Sequence, residues 1–352
     1  MEKMKAAVLV APGVIEVQEI DIPEITADEV LIKVSYTGIC GSDLPRTQNE
    51  NGARKYPLVI GHEFSGTVAK VGENVKNLPL NTPVCVAPLI PDPESIYTKE
   101  GLYGLSDNYN IIGTGSNGGM AEYVKVPIEH VVPIPNSLSL LDAAGVEPAA
   151  ISFHALRKSN IQAGDKVAVL GCGPIGQFAV QCAKIFGASE IIAVDIFQDK
   201  LNLAKELGAT STINSKENNL IDEIMKQTGI GVDVVIETAG SVITQEQALN
   251  IARKNGSIVF VGISHQDLHL KASSVEKILR GELTVNGAWN SYTAPYPGRD
   301  WEGTLAFMDK KEIVFQPMIS HHISLEELGD YLTKMHNKTI EFNKVIVDVN
   351  PE

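Results

Sequence analysis

Four side chains in this sequence are of the types that a catalytic metal ion needs. Cys40 stands in T-G-I-C-G-S-D, His62 and Glu63 in G-H-E-F-S-G, and Glu147 in G-V-E-P-A. A thiolate, an imidazole and carboxylates brought from separate loops match the ligand preferences of Zn²⁺. Three protein ligands leave one tetrahedral position open for water or an alcohol. Further along, Gly171-Cys172-Gly173-Pro174-Ile175-Gly176 reads as a nucleotide-binding turn. A Lewis acid together with a dinucleotide site predicts alcohol oxidation by hydride transfer. Taken singly, such residues say less. An isolated cysteine is more often core than ligand, and Cys85, Cys172 and Cys182 read as core, each in an apolar run.

The glycine turn has the context its chemistry requires. It ends the apolar run Lys166–Leu170 and opens a helical stretch. Gly171 permits the tight turn, Gly173 lets the backbone approach a pyrophosphate, and Gly176 permits close packing of helix on strand. The helix N-terminus favours the anion, and Pro174 and Ile175 complete the turn. Asp195 ends the next apolar run, where a carboxylate takes both adenosine ribose hydroxyls and repels a 2′-phosphate. NAD(H) is therefore expected rather than NADP(H). Lys200 joins the expected cofactor-binding set.

The elements that position these residues fall into two patterns. Up to about Pro135, short strand-like runs recur: Lys5–Val10, Val30–Tyr36, Gly66–Val71, Pro83–Ala87 and Ala121–Val126. Turn residues separate them, which is the signature of a β-barrel-like domain. From Leu140 the pattern changes. Leu140–Ser159 has helical spacing; Lys166–Leu170, Glu190–Val194, Val232–Ile236 and Ser257–Val261 read as strands, with helices over Gly176–Phe186 and Asp199–Leu207. Alternating strand and helix predicts an α/β, doubly wound parallel Rossmann sheet, with Leu283–Ala288 as its last strand. The terminal run Lys344–Val349 is expected to return to the first domain.

Composition bounds the function. With 352 residues, 44% hydrophobic and 20% charged, the chain suits a two-domain globular enzyme. A net charge of −14 repels nucleic acid and anionic membranes. The four cysteines form no C-x-x-C pair, there is no signal pattern at the N-terminus, and no apolar run reaches membrane-spanning length. A soluble cytoplasmic protein without nucleic-acid or membrane partners is expected.

Together the motifs resemble the zinc-containing medium-chain alcohol and polyol dehydrogenases, whose G-H-E-x-x-G-x₅-G-x₂-V signature stands here as Gly61-His62-Glu63, Gly66, Gly72 and Val75. The resemblance covers the whole chain. It implies a GroES-like catalytic zinc domain over 1–148 and 290–352 and a Rossmann NAD-binding domain over 149–289. It also implies that Cys40, His62 and Glu147 hold one catalytic zinc, with Glu63 a near or alternate ligand. Ser42 would be the hydroxyl relay, and Asp43 the acceptor that orients His62. The segments Gly41–Arg46, His265–Leu270 and Trp289–Trp301 are similar to polyol-phosphate members. The implied reaction oxidises a secondary alcohol of a sugar-alcohol phosphate, galactitol 1-phosphate, to a ketose phosphate. Arg46 is the best candidate for the phosphate, ahead of Lys344, Arg299, Arg54 and Lys55. Trp289, Asn290 and Tyr292 either line the polyol cleft or pack between domains. Free polyols, butanediol or threonine remain alternative substrates, and a zinc-free NAD(P)H-binding sensor is the alternative of a different class. A homodimer or homotetramer is expected, because the apolar strand near Leu283–Ala288 would lie at a sheet edge.

One departure stands out. Many such dehydrogenases hold a second, structural zinc with C-x-x-C-x-x-C-x₇-C; here those positions are Asp92, Ser95, Thr98 and Ser106. These cannot form an S₄ site. One zinc per chain is expected, with this lobe held by Ile96, Tyr97, Leu102 and Tyr103.

Overall fold

β-Branched residues at alternating positions make the first part of the chain a set of strands. In the computed structural model, which describes residues 2–351, two units are distinguished. The first comprises Met1–Glu147, Tyr292–Asp309 and Val314–Glu352; the second comprises Pro148–Ser291 and Lys310–Ile313.

The first unit is built on a seven-stranded sheet. Its path runs Val131–Pro133, Pro83–Val86, Glu63–Val71, Glu29–Gly38, Lys344–Asp348, Ile319–Ile323, and Tyr123–Pro127 also pairs with Glu29–Gly38. Val30, Ile32 and Val34 bury one face against Phe64, Val68 and Val84. A second cluster packs Leu9, Ile39, Ile60 and Met120 against Leu328, Leu332 and Val345. The C-terminal strand Lys344–Asp348 lies antiparallel to Glu29–Gly38, with Ile346 opposite Gly38. It brings residue 344 beside the loop that follows residue 38.

The second unit contains six parallel strands in the order Ser211–Asn214, Glu190–Asp195, Lys166–Leu170, Val232–Glu237, Ala252–Phe260, Thr284–Gly287. The first strand in sequence is central, so the chain reverses direction across the sheet beside it. That is where open α/β sheets bind nucleotides. Its core includes Leu170, Ile192, Val194, Val235 and Ile258. Edge strand Ser211–Asn214 was not predicted: its polar S-T-I-N sequence has no apolar period.

The predicted helical stretch Leu140–Ser159 is two helices, Leu140–Ala143 and Val146–Lys158. Ser139 caps the first by accepting from the Asp142 N–H at 3.1 Å. The break falls at Ala144-Gly145, where a Cβ on Gly145 would meet the Phe315 ring. The second helix therefore starts at Val146, which puts Glu147 in its first turn. Among the described residues, no helix is long and apolar enough to cross a membrane.

Candidate metal and dinucleotide sites

The loop after strand Glu29–Gly38 folds around one carboxylate. Asp43 Oδ2 accepts from the Cys40 backbone N–H at 3.0 Å, and the Asp43 N–H donates to the Cys40 carbonyl at 3.0 Å. This tight turn fixes Cys40 and starts the short helix Asp43–Gln48. Ser42 Oγ donates to Cys40 Sγ at 3.3 Å. The second ligand loop depends on Gly61, whose φ of +99° suits glycine; a Cβ there would also meet Thr37 Cγ2 at 2.8 Å and Met120 Cγ at 2.9 Å. Beyond it His62 points inward, and Glu63 begins the strand that pairs with Gly38.

Among the described residues, Cys40, His62 and Glu63 form one group whose ligand atoms all lie within 4.8 Å of one another. The expected set was Cys40, His62 and Glu147 with Glu63 as alternate. Glu147 is outside this tight group because it arrives separately, on helix Val146–Lys158. Its carboxyl is nonetheless buried among the same charges. Burial raises its pKa to about 7, helped by Glu63 and Asp43 and opposed by His62 and Lys344.

The donor set fits a divalent metal ion. Burial, with Glu63 and Asp43 nearby, pushes the Cys40 thiol far above its ordinary pKa, so a thiolate there needs a cation. His62 Nδ1 is buried without a hydrogen-bond partner. Cys40, Asp43, Glu63 and Glu147 can all carry negative charge, whereas Lys344 and Arg46 are the cations paired with this corner.

Two expected roles change. Asp43 was expected to orient His62, but Asp43 Oδ1 lies 3.7 Å from His62 Nδ1, beyond hydrogen-bond range. Arg46 Nη1 holds that oxygen at 2.6 Å instead. Lys344 was a candidate for the substrate phosphate. Its side chain is 2% exposed and its Nζ donates to Glu63 Oε2 and to the Ile39 carbonyl, so it is buried and already paired. Burial pulls its pKa down, but Glu63, Cys40 and Glu147 together outweigh this and leave Lys344 above its usual value. A lysine heading the apolar run Val345–Val347 was the sequence signal for such a buried pair.

Arg46 lies on helix Asp43–Gln48 with 18% of its side chain exposed, and Nη1 also donates to Ser42 Oγ at 3.4 Å. Arg54, Lys55 and Arg299 are exposed. Tyr292 is 3% exposed, stacked on Tyr296 at 5.6 Å and tilted against Trp301 at 5.7 Å. Its ring packs against these two aromatics within the first unit. Trp289 is 46% exposed, and Asn290 has a positive φ of 56°.

In the second unit, Gly171 takes φ +91° and packs on Ala239, while a Cβ on Gly173 would meet nothing within 4 Å. A Cβ on Gly176 would strike the Gly171 carbonyl. The turn therefore presents open space at Gly173 and closes tightly beneath it. Helix Pro174–Ile185 starts there with no side-chain cap. Asp195 Oδ2 accepts from the Cys172 N–H at 2.7 Å, and Oδ1 accepts from the N–H groups of Ile196 and Phe197. The carboxylate ties the strand end to the glycine turn. Lys200 Nζ lies over the Phe197 ring, 5.2 Å from its centre.

The lobe without cysteines is held differently from expectation. Ile96, Tyr97 and Leu102 are 61%, 40% and 39% exposed, and only Tyr103 packs, edge-on to Tyr296 at 5.6 Å. Hydrogen bonds that join the hydroxyls at the thiolate positions to one another, to the backbone and to Asp107 hold it instead. The Asp92 N–H donates to Ser106 Oγ at 2.8 Å, and Thr98 Oγ1 donates to the same oxygen at 2.9 Å. Ser95 Oγ accepts from the Asp107 N–H at 3.0 Å.

Comparison with known proteins agrees with the folds of both units. Residues 26–136 match the alcohol dehydrogenase GroES-like domain, and residues 174–310 match the zinc-binding dehydrogenase family. Galactitol 1-phosphate 5-dehydrogenase of Escherichia coli K12 is 38% identical over 329 residues, 93% of this chain and 94% of that protein. Sorbitol dehydrogenase of Bacillus subtilis is 34% identical over 355 residues, 99% of this chain and 98% of that protein. The crystal structure of galactitol-1-phosphate dehydrogenase from Escherichia coli superposes with a TM-score of 0.91 at 36% identity, covering 98% of this chain and 100% of that one. The chain belongs to the zinc-binding medium-chain dehydrogenase family and is a zinc-dependent, NAD(P)-linked alcohol or polyol dehydrogenase.

Proposed function

We propose that this enzyme oxidises a secondary alcohol of a sugar-alcohol phosphate, galactitol 1-phosphate to a ketose phosphate, with hydride transfer to NAD. The observation that carries this reading is Arg46: a partly exposed guanidinium on the same short loop and helix as Cys40 and Ser42, a cation placed beside the metal ligands where a phosphate could be met. The similarity to a galactitol 1-phosphate 5-dehydrogenase supports it.

In this reading Cys40 and His62 hold the zinc with Glu147, and Glu63 stands beside it. When bound, the zinc supplies Lewis acidity that makes the substrate hydroxyl easier to ionise. Ser42 Oγ would accept the hydroxyl proton while releasing its own through the nicotinamide ribose towards solvent; its bonds to Cys40 and Arg46 hold it in place. Asp43 fixes the Cys40 loop and Arg46 together. Gly171, Gly173, Pro174, Ile175 and Gly176 seat the pyrophosphate, and Asp195 and Lys200 select the adenosine end. Strand Thr284–Gly287 pairs on one side only, which supports a homodimer or homotetramer formed across that edge.

A second reading, a free-polyol dehydrogenase, is favoured by the commitment of Arg46 Nη1 to the buried Asp43, which spends part of its charge. NADH formation from matched pairs decides: galactitol 1-phosphate against galactitol, and sorbitol 6-phosphate against sorbitol, each with NAD and NADP. Activity confined to a phosphorylated member is expected. Turnover of the free polyols alone would overturn the substrate assignment and keep the zinc chemistry.

A further inference from the structure

Glu237 is a buried acid that neither the metal site nor the expected cofactor contacts use. It ends strand Val232–Glu237, in register with Leu170 on one side and Phe260 on the other, and is 0% exposed. Its Oε1 accepts three bonds, from the Ala239 N–H at 2.9 Å, the Gly240 N–H at 2.9 Å and Thr244 Oγ1 at 2.8 Å. Its Oε2 is buried without a hydrogen-bond partner. Burial raises its pKa, against these three bonds, which lower it. A strand end that only needed closing could use a hydroxyl or water at lower desolvation cost. The turn that Glu237 gathers, residues 238–240, interlocks with the glycine turn. Thr238 Oγ1 donates to the carbonyls of Leu170 at 3.1 Å and Gly171 at 2.9 Å, and a Cβ on Gly171 would meet the Ala239 nitrogen at 2.9 Å. On the other side, Gly240 takes φ +63°, and a Cβ on Gly262 would strike its nitrogen.

Position in the sheet says which part of the cofactor this turn faces. The chain reverses beside the central strand Lys166–Leu170, and a dinucleotide lies across that point with one half on each side. Asp195 and Lys200 stand on the adenosine side in the reading above. Residues 238–240 follow the neighbouring strand on the opposite side, the side of the nicotinamide half. In a trans peptide the N–H and the preceding carbonyl point in opposite directions. Drawing the N–H groups of Ala239 and Gly240 onto Glu237 therefore turns the carbonyls of Thr238 and Ala239 away from the buried acid. We propose that Glu237 is a positioning residue for the nicotinamide half of the cofactor, fixing the 238–240 turn so that its outward carbonyls are set as acceptors. The inference rests on the dinucleotide-site reading above. An acid that only closed the strand end would support both halves of the cofactor alike.

The test compares the affinity for NADH, read by its fluorescence change on binding, with that for AMP, read by its competition with NADH. NADH fills both halves of the site and AMP only the adenosine half. Glu237→Leu removes the acceptor and is expected to weaken NADH ~10-fold or more, while AMP changes by less than about 3-fold. Glu237→Asp withdraws the oxygens by one methylene and should show the same selective loss. Glu237→Gln keeps an oxygen facing the turn, and Thr244 Oγ1 can donate to the Ser241 carbonyl at 2.9 Å instead. This conservative variant should stay within about 3-fold of wild type for both ligands. NADH held as tightly by the Leu and Asp variants as by the wild type overturns the proposal. So does an equal loss of NADH and AMP, which marks general support of the unit, and so does a loss in Glu237→Gln as large as in Glu237→Leu. If Glu237→Leu does not fold, Glu237→Asp and Glu237→Gln decide by the same limits. A wild-type chain that binds neither NADH nor AMP would instead overturn the dinucleotide-site reading itself.

Discussion

Two corners of the first unit can be laid side by side. Around Cys40, His62 and Glu63, the ligand atoms of a thiol, an imidazole and a carboxylate converge within 4.8 Å, in a setting with more potential anions than cations. Around Asp92, Ser95, Thr98 and Ser106, four positions that carry thiolates in many dehydrogenases carry hydroxyls and a carboxylate, which bond the backbone and each other. The first corner is left electrostatically incomplete; the second is complete in itself. Soft and borderline donors in a desolvated site create a demand for a cation, whereas hydroxyls satisfy one another as donor and acceptor. The difference lies in what each corner requires from outside, a metal ion in one and nothing in the other.

The sharpest way to break this contrast is to remove Cys40. Cys40→Ala is expected to reduce zinc from one ion per chain to a small fraction and to abolish NADH formation, read by metal analysis beside a steady-state assay. If the wild type instead held two tight zincs per chain, the contrast would be wrong, because the lobe would then be a metal site after all. Ser42→Ala should retain its zinc and lose roughly 10²–10⁴-fold in turnover, the usual contribution of a positioned proton carrier. Equal turnover would remove Ser42 from the relay.

Proton linkage separates the two corners next. Burial raises the Glu147 pKa to about 7, from an ordinary carboxyl value. A folded-state pKa above the unfolded one means that the folded apo protein binds the proton more tightly. The stability this contributes is present at low pH and is lost as pH rises through about 7. Metal-free protein should therefore melt at lower temperature as pH increases across that window, and zinc should bind more tightly over the same range as the proton it displaces becomes scarcer. A zinc affinity that is flat with pH would contradict the assignment of Glu147. The smallest effect belongs to the lobe. Ser106→Ala removes the oxygen shared by Asp92 and Thr98 and should cost about 1–3 kcal/mol in unfolding stability, with zinc content and turnover unchanged. A loss of zinc in that variant would show the two corners to be coupled.

Much of this molecule was legible in the sequence, for reasons that differ by region. Parallel strands buried on both faces are continuous apolar runs, so Lys166–Leu170 was read with its observed ends. The polar edge strand Ser211–Asn214 has no such run and escaped notice. Gly61 and the glycine turn were legible because backbone geometry and close approach restrict those positions to one residue type. The residue types for a metal site were likewise visible, as were the missing thiolates at positions 92, 95, 98 and 106.

Pairing between distant residues was not visible. Lys344 and Glu63 are 281 positions apart, and only the register of the C-terminal strand against Glu29–Gly38 brings them together. Asp43 was read as the partner of His62, but a helical neighbour, Arg46, reaches its oxygen first. Local sequence determined which residue types each loop offers and where the backbone must turn, because these depend on sterics and on near neighbours along the chain. The tertiary structure decided which charge meets which, since hydrogen bonds and ion pairs are short-range and are settled only once the strands lie in register.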